Sequence, residues 1–267
     1  MARAHRRIAA LLLRWLWPLC GLAATLALSA CAGSHPTGAA SPGHEGAPNV
    51  RSFLLFPVNL VIALPPELES GVEPVQQAIT RYVEAHDRRI ERVSLPEARD
   101  LWLRAIEVAK SAGEMHFEAA AKALAQAAAP SHEFQALLIP SLIVGRGTVR
   151  HRALGWDGVK RHMRVVNMPQ VASGRTTNVL LDGMIHGSLN ANVAIASLHL
   201  IALSREGAVV FTGRGGIDIL EELDLEDADK TFQFQLRPRD DVFQHREVVD
   251  EAVAIAFTPY LPPLEEP

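Results

Sequence analysis

FQALLIPSLIV, residues 134–144, is the stretch from which the fold reads most directly. It is apolar at almost every position and rich in β-branched and leucine side chains. It is too short for a spanning helix, which needs roughly 20 apolar residues. A run of this kind reads as a strand buried on both faces. The strand is expected to continue to Arg152, turn through Leu154-Gly155-Trp156-Asp157-Gly158, and return from Val159 to Met168. Asp-Gly is a strong hairpin signal because both residues tolerate positive φ.

Upstream of that strand, FLLFPVNLVIAL (53–64) reads as an opening strand, with Pro57 placing a bulge or an edge. Ser70 and Glu73 have the spacing of a capping box. Val72, Val75, Ile79, Tyr82 and Val83 follow at helical intervals. Arg89 to Val93 is a short strand. Ser94, Pro96 and Glu97 open a second helix with a stripe of Ala98, Leu101, Trp102, Ala105, Ile106 and Ala109, and Gly113 separates it from an alanine-rich piece over 114–128.

Downstream, Ala194 to Leu203 and Ala208 to Gly213 form a hairpin through Arg205-Glu206-Gly207. The acidic stretch Glu221 to Asp229 reads as surface loop or short helix. Val242 to Phe257 is a closing helix with Val249, Ala252, Val253 and Ala256 facing inward. The order strand, helix, strand, helix, hairpins, helix specifies an α/β (α+β mixed) class: helices packed on a mixed sheet with antiparallel hairpins, in a single domain.

The start of the chain differs from this body. Arg3, Arg6, Arg7 and Arg14 precede an apolar run from Trp15 to Ala27, and Leu28-Ser29-Ala30-Cys31 follows. A basic front, an apolar stretch and small residues describe a secretory signal. Leu28-Ser29-Ala30-Cys31 resembles the lipobox of bacterial lipoproteins. The resemblance implies that the Cys31 thiol receives a diacylglycerol and that the chain is cut before it. It also implies that the new amino group is acylated, typically with palmitate, giving a membrane-anchored periplasm-facing protein. Ala32 at the next position implies the outer membrane, the inner membrane being the alternative. Loss of residues 1–30 removes four arginines and no acid, so the net charge moves from −4 to −8, and it removes Cys20. Cys31 would then be the one remaining cysteine, and as an acylated residue it leaves no free thiol for catalysis or a disulfide. Residues 31–50 (from Ala32, AGSHPTGAASPGHEGAPN) read as a flexible tether, whose r.m.s. span would be on the order of 25 Å. The domain is expected over 51–258 and a Pro-rich extended tail over 259–267.

Element order, with Ser197-Leu198-His199-Leu200 followed by Val209-Val210-Phe211 in a late hairpin, is similar to the amino-terminal domain of TolB and to CsgG-like lipoproteins. That group consists of binding and assembly modules of the envelope, which implies a non-catalytic protein with an envelope protein partner.

Several groups could carry chemistry. Asp182, His186 and Ser188 would share one face of a strand, and a lipid-anchored hydrolase using His186 and Ser188 is the alternative from another class. Same-face neighbours on one strand do not make a nucleophilic triad, and polar residues alternating outward explain the pattern more simply. Gly213-Arg214-Gly215-Gly216 resembles a phosphate loop but lacks the lysine and serine of that motif, so a turn needing positive φ is the simpler reading. Asp224, Glu226, Asp227 and Asp229 lack calcium-loop spacing. No metal or other cofactor is expected. A small-ligand binding lipoprotein is a further option.

The clearest charge feature is basic: Arg146, Arg150, Arg152, Lys160, Arg161 and Arg164, interrupted by Asp157 alone. As a hairpin ribbon beside Trp156 these would suit anionic lipid or an acidic partner. The competing reading pairs them with the domain's own acids, twelve against four basic residues over 218–251. Nucleic acid is not expected for an exported chain of this charge.

Overall fold

The computed structural model describes residues 37–114, 116–167, 190–224 and 235–264. The main sheet combines β1 (Gly38–Ala40), β2 (Ser52–Leu55), β3 (Arg89–Arg92), β4 (Ala136–Arg150), β8 (Asn190–Ser204) and β9 (Val209–Ile219) in the order β1-β9-β8-β4-β2-β3. A hairpin of β5 (Ala153–Trp156) and β6 (Val159–His162) joins it through β4. β7 (Val165–Val166), β10 (Glu221–Asp224) and β11 (Gln235–Pro238) form a small second sheet. The helices are α1 (Val72–Ala85), α2 (Leu95–Ser111), α3 (Phe117–Ala128) and α4 (Arg246–Phe257). This is a mixed α/β architecture, as the element order requires.

β2, β3 and β4 run parallel and β4, β8, β9 and β1 antiparallel. The crossover β2-α1-β3 lies on one face. The crossover from β3 through α2 and α3 returns over β2 on the other face to reach β4. Side-chain parity records the split. Phe53 and Leu55 join α1 and α4 in one core, and Leu54 and Phe56 join α2 and α3 in the second. β4 and β8 pair along their whole length, from Ala136 opposite Ser204 to Arg150 opposite Asn190.

Gly213 and Gly215 sit inside β9 rather than in a turn. A Cβ on Gly213 would lie 1.8 Å from the Ala256 carbonyl oxygen, and one on Gly215 1.8 Å from that of Ala252. These glycines let α4 lie directly on the sheet, so neither a phosphate loop nor a positive-φ turn describes them.

Several boundaries move. The tether does not extend to residue 50. β1 forms an edge strand with Gly38 opposite Gly213, and Ala47 is fully buried. Small residues at 38–40 fit a strand lying against β9 and close to the Thr258 carbonyl. The tail is not an extended appendage at its start. The Tyr260 ring stacks on Phe211 at 5.0 Å and meets Phe53 edge-on at 6.4 Å, and Leu261 is buried beside them. Burial pushes the Tyr260 hydroxyl pKa up to about 12. Ser70 caps no helix, because a 3-10 turn over Pro66–Gly71 runs directly into α1 and Gly71 takes the N-cap position. Ser94 does cap α2, accepting from the Glu97 amide at 3.5 Å. Glu221 to Asp224 is a strand with Leu223 and Asp224 buried, not a surface loop.

Candidate functional site

The opening apolar run does not form one strand to Leu64. β2 ends at Leu55 and the chain leaves the sheet at Pro57, which has no amide hydrogen for the ladder. Asn59 adopts φ 58° and its side chain takes the place of a strand neighbour. Its Oδ1 accepts from the Leu142 amide at 2.7 Å, and its Nδ2 donates to the Leu142 carbonyl at 2.9 Å. Residues 56–65 are thereby held as a rim above the carboxyl ends of the parallel strands.

Beneath that rim lies an open cleft of about 670 Å³, bounded by the 57–64 loop, the start of α1, the end of β3 and the start of α2. This is where successive crossovers to opposite faces leave a crevice in an open α/β sheet. Its walls are largely apolar, and Ile62 and Leu95 are each 44% exposed at the mouth. Most of its polar groups are already engaged. Arg92 bonds Glu73 at 2.9 and 3.2 Å and Gln76 at 2.8 Å. Hydrogen bonds from Arg92 and then Gln77 hold the Glu73 carboxyl below the usual carboxylate range. Ser94 caps α2 and Asn59 holds the rim. Arg99 is exposed and has no ion-pair partner among the described residues. The arrangement can hold an elongated apolar group and offer one cation to an anionic one. Among the described residues that line it, no nucleophile stands against a general base.

The basic segment is arranged differently from a flat ribbon. β4 ends at Arg150, and His151 and Arg152 both take positive φ, folding the chain back so that Ala153 lies opposite Arg150. Asp157 and Gly158, also at positive φ, form the two-residue turn between Trp156 and Val159. Arg152 therefore leaves the alternation of Arg146 and Arg150. The hairpin crosses the α2/α3 face and caps the free edge of β9. Gly216 donates its amide to the Asp157 carbonyl at 2.9 Å, and Arg161 Nε donates to the Ile217 carbonyl at 2.9 Å.

Three of the cations are committed to the domain's own acids. Arg161 pairs with Glu251 at 2.6 Å, and Arg164 with Asp241 at 2.6 Å and Glu222 at 3.5 Å. Arg146 approaches Glu221 at 3.8 Å. Burial raises the Asp241 carboxyl, but hydrogen bonds and charge from Arg239 and Arg164 outweigh it and hold the pKa below its ordinary value. Arg239, itself nearly buried, also bonds Asp218 at 2.9 Å. Arg150, Arg152 and Lys160 have no ion-pair partner among the described residues. Trp156 is half-buried, its Nε1 donating to the Ser197 hydroxyl at 3.2 Å and the Ala196 carbonyl at 3.3 Å.

Between the α2/α3 layer and the hairpin, part of the sheet stays open. A hollow of about 330 Å³ is lined there by Thr37, Ala39, His199, Ile201, Thr212 and Arg214, among others. His199 lies opposite Arg214, and its Nε2 is buried without a hydrogen-bond partner. Burial, and secondarily Arg214, push its pKa down, with Asp157 opposing.

Cys31, Asp182, His186 and Ser188 lie outside the described residues, as do Glu226, Asp227 and Asp229. The cleft was missed from sequence because 53–64 reads as one strand. Pro57 followed by Pro65-Pro66 before a helix was the available signal for a strand-loop-helix corner. Compared with protein-family models, with curated proteins and with solved structures, the chain matches none of them.

Proposed function

We propose that this chain is a lipid-anchored, periplasm-facing binding module of the bacterial envelope, non-catalytic, held by acylated Cys31. The observation that carries the anchoring is Leu28-Ser29-Ala30-Cys31 behind a basic and apolar leader. Several acyl chains on one residue make a stable anchor, each buried CH₂ contributing roughly 0.8 kcal/mol.

The cleft under the 56–65 rim is the partner seat in this reading. Its apolar mouth and the free Arg99 suit an extended segment with apolar side chains and an acid. Engagement of Asn59, Ser94, Gln76 and Arg92 in structure supports binding rather than turnover.

Replacing Cys31 with Ser tests the anchor: incorporation of a labelled fatty acid is expected to vanish, and unchanged labelling would refute it. A photo-reactive residue at Ile62 tests the seat. A discrete cross-linked envelope partner that is lost on Leu95→Asp supports the cleft, and identical capture by that variant would remove it.

A further inference from the structure

The domain begins very close to Cys31. Thr37 is already packed: its carbonyl accepts from the Arg214 amide, and its methyl lies where a Cβ on Gly158 would approach to 2.9 Å. Six residues from Cys31 to Thr37 reach about 20 Å even fully stretched. An anchor at Cys31 would therefore keep this corner within about 20 Å of the bilayer, instead of suspending it on a longer tether.

From this we infer that the corner formed by Thr37, the Asp157-Gly158 turn, Lys160 and Arg214 is a membrane-apposed surface that docks on the anionic headgroups of the bilayer holding the anchor. This rests on the acylation of Cys31. Two observations fit the corner to that partner. Arg214 and Lys160 are both exposed, and neither has an ion-pair partner among the described residues. Val159 and Arg161 turn toward β9, Val159 against Gly216 and Arg161 onto the Ile217 carbonyl, so alternation turns Lys160 outward.

The charged groups bordering Thr37 are Arg214, Lys160 and, in its protonated form, His199. Asp157 is the acid of the turn, and Glu251 is already held by Arg161. Each cation near an anionic surface favours apposition about fivefold, and the effect fades once salt shortens the screening length to a few ångströms.

The test uses the acylated full chain, in which an introduced cysteine is the sole free thiol. Thr212→Cys, exposed beside Thr37 and Arg214, reports on the corner and leaves both cations in place. Arg89→Cys, on β3 at the far edge of the sheet and four strand spacings (about 19 Å) from β9, is the reference. Each variant is reconstituted in phosphatidylethanolamine vesicles containing phosphatidylglycerol and treated with a membrane-impermeant maleimide, and its rate is divided by the rate in detergent.

Protection at 212 is expected to exceed that at 89 by fivefold or more, and to shrink in Arg214→Glu or in 1 M salt. Equal protection at the two sites overturns the docking surface, as does protection unmoved by Arg214→Glu and by salt. Failure of the chain to float with vesicles, with no acyl mass on Cys31, overturns the anchor and the inference together, and is a separate result.

Discussion

The two faces of the main sheet are finished in different ways. Against one face, α1, α4 and the residues up to Leu261 form a continuous core, with Tyr260 between Phe53 and Phe211. The other face is covered in two separate pieces, α2 with α3 at one end and the β5–β6 hairpin at the other, with His199 and Arg214 in the hollow between. The larger buried cluster lies against the first face. Most of the exposed large apolar residues among those described, Leu95, Leu103, Val108 and Phe117 with Ile62 at the rim, lie on or beside the second.

That contrast can be broken most severely at β9. Gly215→Val drives a side chain into the Ala252 carbonyl, and a loss of about 3 kcal/mol or more is expected in chemical denaturation. Removing Arg239 comes next. Arg239→Ala leaves Asp218 and Asp241 without their shared cation, for a loss of about 3 kcal/mol at neutral pH. The variant should also change the acid limb. Asp241 has a lowered folded pKa, so its contribution is present above the ordinary carboxylate value near 3.8 and is lost as pH falls through the folded pKa. Denaturation between pH 5 and 2 should therefore be shallower in Arg239→Ala.

On the half-covered face the effects are smaller. Trp156→Ala removes the hairpin's contact with β8, at about 2 kcal/mol, with near-ultraviolet dichroism reporting the loss. Leu95→Asp at the cleft mouth is expected to stay within about 0.5 kcal/mol of the parent while abolishing partner capture.

The smallest effect concerns His199. Its folded pKa is lowered, so the unfolded chain takes up the proton first as pH falls below 6.5, and stability declines there. His199→Leu should flatten that decline between pH 7 and 5, measured by thermal melts.

The two faces were not equally legible in the sequence. Helical stripes such as Ala98, Leu101, Ala105 and Ala109 declare a buried side because a helix must repeat its apolar positions every turn. Asp157-Gly158 declares a turn because few residues accept positive φ. Burial of Tyr260 and docking of Gly38–Ala40 carry no local periodicity. They depend on contacts far along the chain with Phe211 and Gly213, which propensity does not encode. The same holds for the basic segment. Composition over 146–164 reveals its charge, while partners at Glu222, Asp241 and Glu251 decide how much of it is free. Arg214 reads in sequence as part of a glycine loop, whereas Gly213 and Gly215 serve packing and the arginine stands exposed on the strand. The cleft was hidden by an apolar run that looks like strand until Asn59 turns it.

The central claim is that a short link from an acylated cysteine holds this domain at a membrane. Mass analysis of the amino-terminal peptide of the protein recovered from a bacterial envelope tests it most directly. The account predicts a peptide that begins at Cys31 and carries diacylglycerol and an amide-linked acyl chain. A peptide that begins elsewhere, or an unmodified Cys31, would contradict it.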